Sequence, residues 1–155
     1  VNVADYLHEL VKLNKLKPQQ LVIEVTETEI ISESDTFYQA IEQIRSRGMR
    51  VAIDDFGAGY AGLSLLADFT PDKIKLDRKI TTGIHESGHR QAITEAVLEF
   101  ANSMGIPLVV EGVETIDEWL WLQHAGVQRF QGFLFAKPKL NDVSGIDFSF
   151  DGASS

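Results

Sequence analysis

The sequence predicts a parallel α/β protein on the plan of a (β/α)8 TIM-like barrel. Three observations predict it. Short apolar runs of strand length recur along the chain, helical patterns alternate with them, and acidic side chains fall where the runs end. Alternating strands and helices imply parallel β/α units. Charge gathered at the C-terminal ends of such strands is the layout of a barrel's active-site mouth.

Taken in order, Val1–Val3 reads as the end of a strand, followed by a helix around Tyr6–Leu16. Five apolar runs read as buried strands: Leu21–Val25, Arg50–Ile53, Lys73–Leu76, Leu108–Val110 and Val127–Phe130. Helical patterns lie between them over Phe37–Arg47, Ala61–Phe69, Ala92–Met104 and Ile116–His124. Ser34 or Asp35 is placed to cap the first of these four, and Gly48, Gly105 and Gly126 stand where helices should stop.

The strand ends carry the chemistry. Glu24 falls near the end of the first run with Glu27 after it, Asp54 and Asp55 follow the second, Asp77 the third, Glu111 and Glu114 the fourth, and Gln131 the last. Side chains alternate faces along a strand. Glu24 therefore opposes Ile23 and Val25, Lys75 opposes Ile74 and Leu76, and Glu111 opposes Val110. One face of each strand is apolar, as if covered by helices, and the other carries charge near its end. A single acidic strand end is as easily a solvated loop residue. Four of them with a mid-strand lysine argue for a shared mouth. Carboxylates that converge repel one another and need a divalent cation to coexist. An all-oxygen donor set favours Mg²⁺, Mn²⁺ or Ca²⁺ over zinc.

Composition narrows the function. The chain has 155 residues, a net charge of -9 and no cysteine. The acidic balance excludes generic DNA or RNA binding, and disulfides and thiolate metal sites are excluded outright. No apolar run approaches the roughly 18 residues of a membrane span, so direct membrane insertion is not expected. The opening residues Val1–Tyr6 lack the basic start of a signal peptide, and a cytoplasmic location is expected.

Two motifs compete with this reading. Gly57-Ala58-Gly59-Tyr60-Ala61-Gly62 matches G-x-G-x-x-G, with Asp77 twenty residues beyond Gly57. Asp54 and Asp55 stand just ahead of those glycines, where they would repel a pyrophosphate. His85-Glu86-Ser87-Gly88-His89 matches H-E-x-x-H, but a zinc site needs both histidines on one helical face. The helix is expected to start near Ser87, which leaves His85 outside it.

The ordered set Val22-Ile23-Glu24-Val25-Thr26-Glu27, Asp54-Asp55-Phe56-Gly57-Ala58-Gly59-Tyr60, Lys73-Ile74-Lys75-Leu76-Asp77-Arg78, Glu111-Gly112-Val113-Glu114 and Gln131-Gly132-Phe133 resembles the EAL domain family. The resemblance runs from Asn2 to about Pro138, and residues 1–148 are assigned to the domain, with 149–155 as a disordered tail. It implies a metal-dependent phosphodiesterase that hydrolyses cyclic di-GMP to linear pGpG with Mg²⁺ or Mn²⁺ at a two-metal site, Ca²⁺ being inhibitory. By resemblance, Asn2, Glu24, Asp54, Asp55 and Glu111 would hold metal. Lys75, Glu111 and Asp55 would serve catalysis, with Lys75 polarising the attacking water. Gln131, Phe133 and Asp77 would contact substrate. Glu27, Glu114, Phe56 and Gly57 would support the site and its loop. The family also implies a homodimer and a sensor or GGDEF domain in the full-length protein.

The departure lies at the N-terminus. The family's earlier Glu-Ala-Leu strand, whose glutamate binds metal, occurs nowhere in this sequence, and an arginine that grips the substrate phosphate is absent with it. A barrel of this type needs about 250 residues, so this chain is expected to form six strands of an incomplete barrel and to be weakly active or inactive. The alternative function is a degenerate EAL module that binds cyclic di-GMP or a protein partner without cleavage.

Overall fold

The structure, a computed structural model, describes residues 2–32, 35–58, 63 and 65–131. Within them lie helix α1 (Val3–Leu13), strand β1 (Val22–Thr26), α2 (Glu27–Ser32), α3 (Asp35–Ser46), β2 (Arg50–Phe56) and α4 (Leu65–Asp68). Then follow β3 (Lys73–Leu76), α5 (Arg78–Thr81), α6 (Gly88–Met104), β4 (Leu108–Glu111), α7 (Ile116–Ala125) and β5 (Arg129–Gln131). Phe133 and the expected tail over 149–155 lie outside the described residues.

Each strand pairs in parallel with the next in sequence, in the order β1-β2-β3-β4-β5. Consecutive winding in one direction is how a (β/α) barrel is built. A dinucleotide-binding sheet reverses its strand order at a switch point, and the described strands contain no such reversal. The histidine motif is also divided. His85 lies in a 3-10 turn over Ile84–Glu86, and His89 lies in α6, whose N-cap Ser87 accepts from Arg90 N at 3.4 Å.

The strand expected over Val1–Val3 is corrected. Val3 begins α1, and Asn2 is its N-cap: Asn2 Oδ1 accepts from Ala4 N at 2.8 Å and Asp5 N at 3.4 Å. That satisfies two amides that a helix start leaves without partners. The described residues therefore hold five strands, not six. Helix α2 was not expected. Its signal was present in Thr26-x-x-Glu29, where Glu29 N donates to Thr26 Oγ1 at 3.1 Å and Thr26 N donates to Glu29 Oε2 at 2.8 Å.

The core forms between one face of the sheet and the helices. Val51, Ile53, Ile74, Leu76 and Val110 are wholly buried there, with Val97, Ala101 and Leu122 of α6 and α7 against them. The other face is charged. At its N-terminal end Arg50, Lys73 and Arg129 line a cavity of about 250 Å³ with Asp72, and at its C-terminal end lie Glu24, Lys75 and Glu111.

Among the described strands, β2 carries the one register irregularity. Ile53 pairs with Ile74 and Phe56 with Leu76, so three steps on β2 match two on β3. The extra residue sits at Asp54–Asp55, and Asp55 has φ 53, in the left-handed region. Strict alternation would send Asp54 and Asp55 to opposite faces. The bulge turns both toward the mouth and returns Phe56, 1% exposed, to the core.

This division of faces sets the cost of truncation. Ile74→Ala should lower stability by about 2–5 kcal/mol, the usual cost of a buried cavity. Ile93→Ala, at a position 41% exposed on α6, should change it by no more than about 0.5 kcal/mol. Urea denaturation of both variants checks the pair; equal losses would reject the assignment.

Candidate active site

The C-terminal end of the sheet brings Glu24, Asp54, Asp55, Lys75 and Glu111 together. Lys75 extends from the middle of β3 and its Nζ donates to Glu24 Oε1 at 2.8 Å, with Glu111 Oε1 at 3.7 Å. Asp54 Oδ1 accepts from Asp55 N at 2.8 Å. Asp54, Asp55 and Glu111 each offer a carboxylate oxygen, all within 4.8 Å of one another.

Crowding shows in the acidities. Burial, the charge of Asp54 and a hydrogen bond to Asp54 push the Glu111 carboxyl up to about 7, against a partial opposing effect of Lys75. Asp55 is raised by partial burial and by the charges of Asp54 and Asp77. Burial acts to lower the Lys75 ammonium, but its bond to Glu24 and the charges of Asp54, Glu24 and Glu111 outweigh it, and the net shift is upward. A divalent cation relieves such a cluster, because it replaces repulsion among carboxylates with attraction to a common ion. The donor set is all oxygen, which fits Mg²⁺ or Mn²⁺.

The loop after Asp55 is held from below. Glu27, wholly buried at the start of α2, accepts from Gly57 N at 3.0 Å through Oε2. Gly57 has φ +97, and a Cβ there would lie 2.5 Å from Ile80 Cγ1, so only glycine fits this turn. Phe56 anchors the same segment from within the core.

The remaining expected residues lie around this group. Gln131 pairs in register with Glu111 across β4 and β5. Asp77 caps α5, accepting from Lys79 N at 2.9 Å, and its charge reaches Asp55. Asn2 Oδ1 caps α1, and its Nδ2 donates to Gln43 Oε1 on α3 at 2.6 Å. Glu114 is exposed, and its backbone N–H donates to Glu118 Oε1 at 3.0 Å. Glu118 itself was not singled out from the sequence, although Thr115-x-x-Glu118 spells a capping box.

The EAL domain family model matches residues 2–138. The blue light- and temperature-regulated antirepressor BluF of Escherichia coli is 46% identical over 145 residues, covering 94% of this chain and 36% of BluF. The cyclic di-GMP phosphodiesterase RocR of Pseudomonas aeruginosa is 35% identical over 136 residues, covering 88% of this chain and 35% of RocR. The calcium and cyclic di-GMP complex of Klebsiella pneumoniae BlrP1 aligns with a TM-score of 0.83 at 50% identity, covering 90% of this chain and 35% of BlrP1. A manganese and cyclic di-GMP complex of BlrP1 aligns at 0.82. The chain thus spans about a third of the length of these relatives.

The raised Glu111 carboxyl links metal binding to protons. A proton held up to about 7 must leave before that carboxylate can bind a cation. Mn²⁺ binding near pH 6 should therefore release close to one proton per ion, and affinity should climb with pH and level off above about 8. In the metal-free protein the sign is opposite. The folded state holds this proton more tightly than the unfolded chain, so the Glu111 contribution to stability falls as pH rises from about 4.5 to about 7. Calorimetry in two buffers of different ionisation heat measures the release; a pH-independent affinity would contradict it.

Proposed function

Because the chain belongs to the EAL domain family, we propose that its acidic mouth is the reaction centre of a divalent-metal-dependent phosphodiesterase that hydrolyses cyclic di-GMP to linear pGpG. The observation that carries this reading is the Lys75 ammonium, 2.8 Å from Glu24 and 3.7 Å from Glu111, beside the Asp54, Asp55 and Glu111 oxygens. RocR, 35% identical, is a cyclic di-GMP phosphodiesterase, and BlrP1 binds the same nucleotide with calcium or manganese.

Glu24, Asp54, Asp55 and Glu111 would hold the metal, which when bound supplies Lewis-acid charge and makes water acidic enough to attack at neutral pH. Hydrolysis joins a water oxygen to phosphorus and breaks one P–O3′ bond, leaving a 5′-phosphate and a free 3′-hydroxyl. Lys75 remains protonated at the pH of reaction, orients that water and stabilises the negative charge developing on the phosphoryl oxygens. Asp55, grouped with Asp54 and Glu111, would accept the proton the water loses. Gln131 and Asp77 would contact the nucleotide. Residues 1–148 constitute this protein's share of the domain. A cytoplasmic location, a homodimer and control by a sensor or GGDEF domain in the full-length protein belong to the same proposal.

A second reading has its own support. BluF, 46% identical, is an antirepressor. A chain of that kind would bind cyclic di-GMP or a protein partner and leave the phosphodiester intact.

The full-length protein, incubated with cyclic di-GMP and Mn²⁺, should produce pGpG, and chelation should abolish it. Binding without turnover selects the second reading, and NAD binding indifferent to chelator would overturn both. Asp55→Asn should reduce turnover by at least about 100-fold. It should also raise the melting temperature of the metal-free protein by about 2–4 °C, because asparagine tolerates the left-handed backbone at φ 53 and removes one repelling charge.

A further inference from the structure

Glu118, like Glu27, is a buried carboxylate, at 3% exposure on the first turn of α7. It has no cation beside it among the described residues. Three backbone amides satisfy it instead: Oε2 accepts from Gly83 N at 2.8 Å, and Oε1 accepts from Glu114 N at 3.0 Å and Thr115 N at 3.1 Å. Burial acts to raise its pKa, but these amide bonds outweigh burial and hold it below the ordinary glutamate value. It is therefore a fixed anion.

The segments it joins are two of the exits from the reaction centre. Glu114 and Thr115 end the loop that leaves β4 at Glu111. Gly83 ends the turn of α5 that follows Lys75 and Asp77 on the β3 side. The same two segments also meet at their beginnings. Gly112 has φ +72, and a Cβ there would lie 3.2 Å from Arg78 Cα and closer still to Arg78 Cβ, so the backbones are in contact. The β4 exit is thus attached to α5 at both ends, by a glycine approach near the mouth and by Glu118 behind it.

We propose that Glu118 is a positioning residue for the acidic mouth: its buried carboxylate locks the loop after Glu111 to the turn after Lys75. Lys75 and Glu111 come from neighbouring strands and lie 3.7 Å apart, and the lock keeps that spacing when substrate or metal pulls on either. Glu27 holds the Asp54–Asp55 loop in the same manner, through Gly57 N. The two buried glutamates thereby fix the two loops that follow Asp54–Asp55 and Glu111. This role rests on the proposed phosphodiesterase reading for its kinetic effects, but its effect on metal binding does not depend on turnover.

The test is Glu118→Gln in the full-length protein. Its amide keeps one acceptor oxygen and puts an N–H donor against the amides the other oxygen served. Mn²⁺ affinity should fall about tenfold, at the low end for groups that orient metal ligands. Turnover should fall at low Mn²⁺ and recover at saturating Mn²⁺, with the KM for cyclic di-GMP unchanged. A folded variant with wild-type Mn²⁺ affinity overturns the proposal. If the wild type binds Mn²⁺ but cleaves nothing, the phosphodiesterase reading fails and the affinity comparison alone decides the role of Glu118. Should the variant not fold, hydrogen exchange of the wild type decides instead. Coupling is reciprocal, so Mn²⁺ should slow exchange at the Gly83 and Glu114 amides several-fold, and unchanged exchange there overturns the proposal.

Discussion

Mutual repulsion among carboxylates is the constraint around which this end of the protein is organised. Asp54, Asp55 and Glu111 present oxygens within 4.8 Å of one another, and Glu24 stands one lysine away. Like charges at such spacing separate unless the backbone that carries them is held. Three devices hold it. Lys75 places a cation between Glu24 and Glu111. The β2 bulge commits Asp55 to a left-handed conformation that it would leave if Phe56 were not packed into the core. Glu27 and Glu118, both buried, bind the loops from behind through backbone amides. None of these devices neutralises the group completely, and the Glu111 carboxyl retains its proton to about 7. The residual imbalance would favour a cation among these oxygens.

Much of the plan was legible in the sequence because it is periodic. Alternation along Lys73–Leu76 separated Lys75 from Ile74 and Leu76, and the structure buries the two apolar residues and leaves the lysine at the mouth. Departures from periodicity were not legible. Asp54 and Asp55 are adjacent, so alternation would divide them; their convergence depends on a bulge in register with β3, a relation between strands that no single segment records. Val1-Asn2-Val3 is too short to show a period, so the helix that begins at Val3, capped by Asn2 through its bonds to Ala4 and Asp5, was not legible there. Glu118 and α2 could have been found. Each follows a threonine at the capping-box spacing, at Thr115 and Thr26, but these short signals were overshadowed by the acidic strand ends beside them.

Charge is also sorted along the sheet. The chain is acidic overall, at -9, yet the inner face begins with Arg50, Lys73 and Arg129 and ends with the carboxylates. Arg50 and Asp54 lie on one strand and one face, four residues apart, as do Lys73 and Lys75 at two. The apolar side of the same strands shows no such gradient and consists of close-packed aliphatic residues with Phe56 and Phe130. Net charge therefore misdescribes the surface a ligand meets, which depends on the end of the strands it approaches.

The consecutive strand order has a consequence for how the protein is made. Each strand pairs with the one synthesised just before it, so contacts are local in sequence and β/α units can dock one at a time as the chain leaves the ribosome. In that order Glu24 emerges first, Asp54 and Asp55 second, Lys75 third and Glu111 last. The lysine is in place before the final carboxylate arrives. A nascent chain built this way does not hold the complete acidic group without its internal cation, and it acquires its full set of oxygen donors only when β4 joins β3.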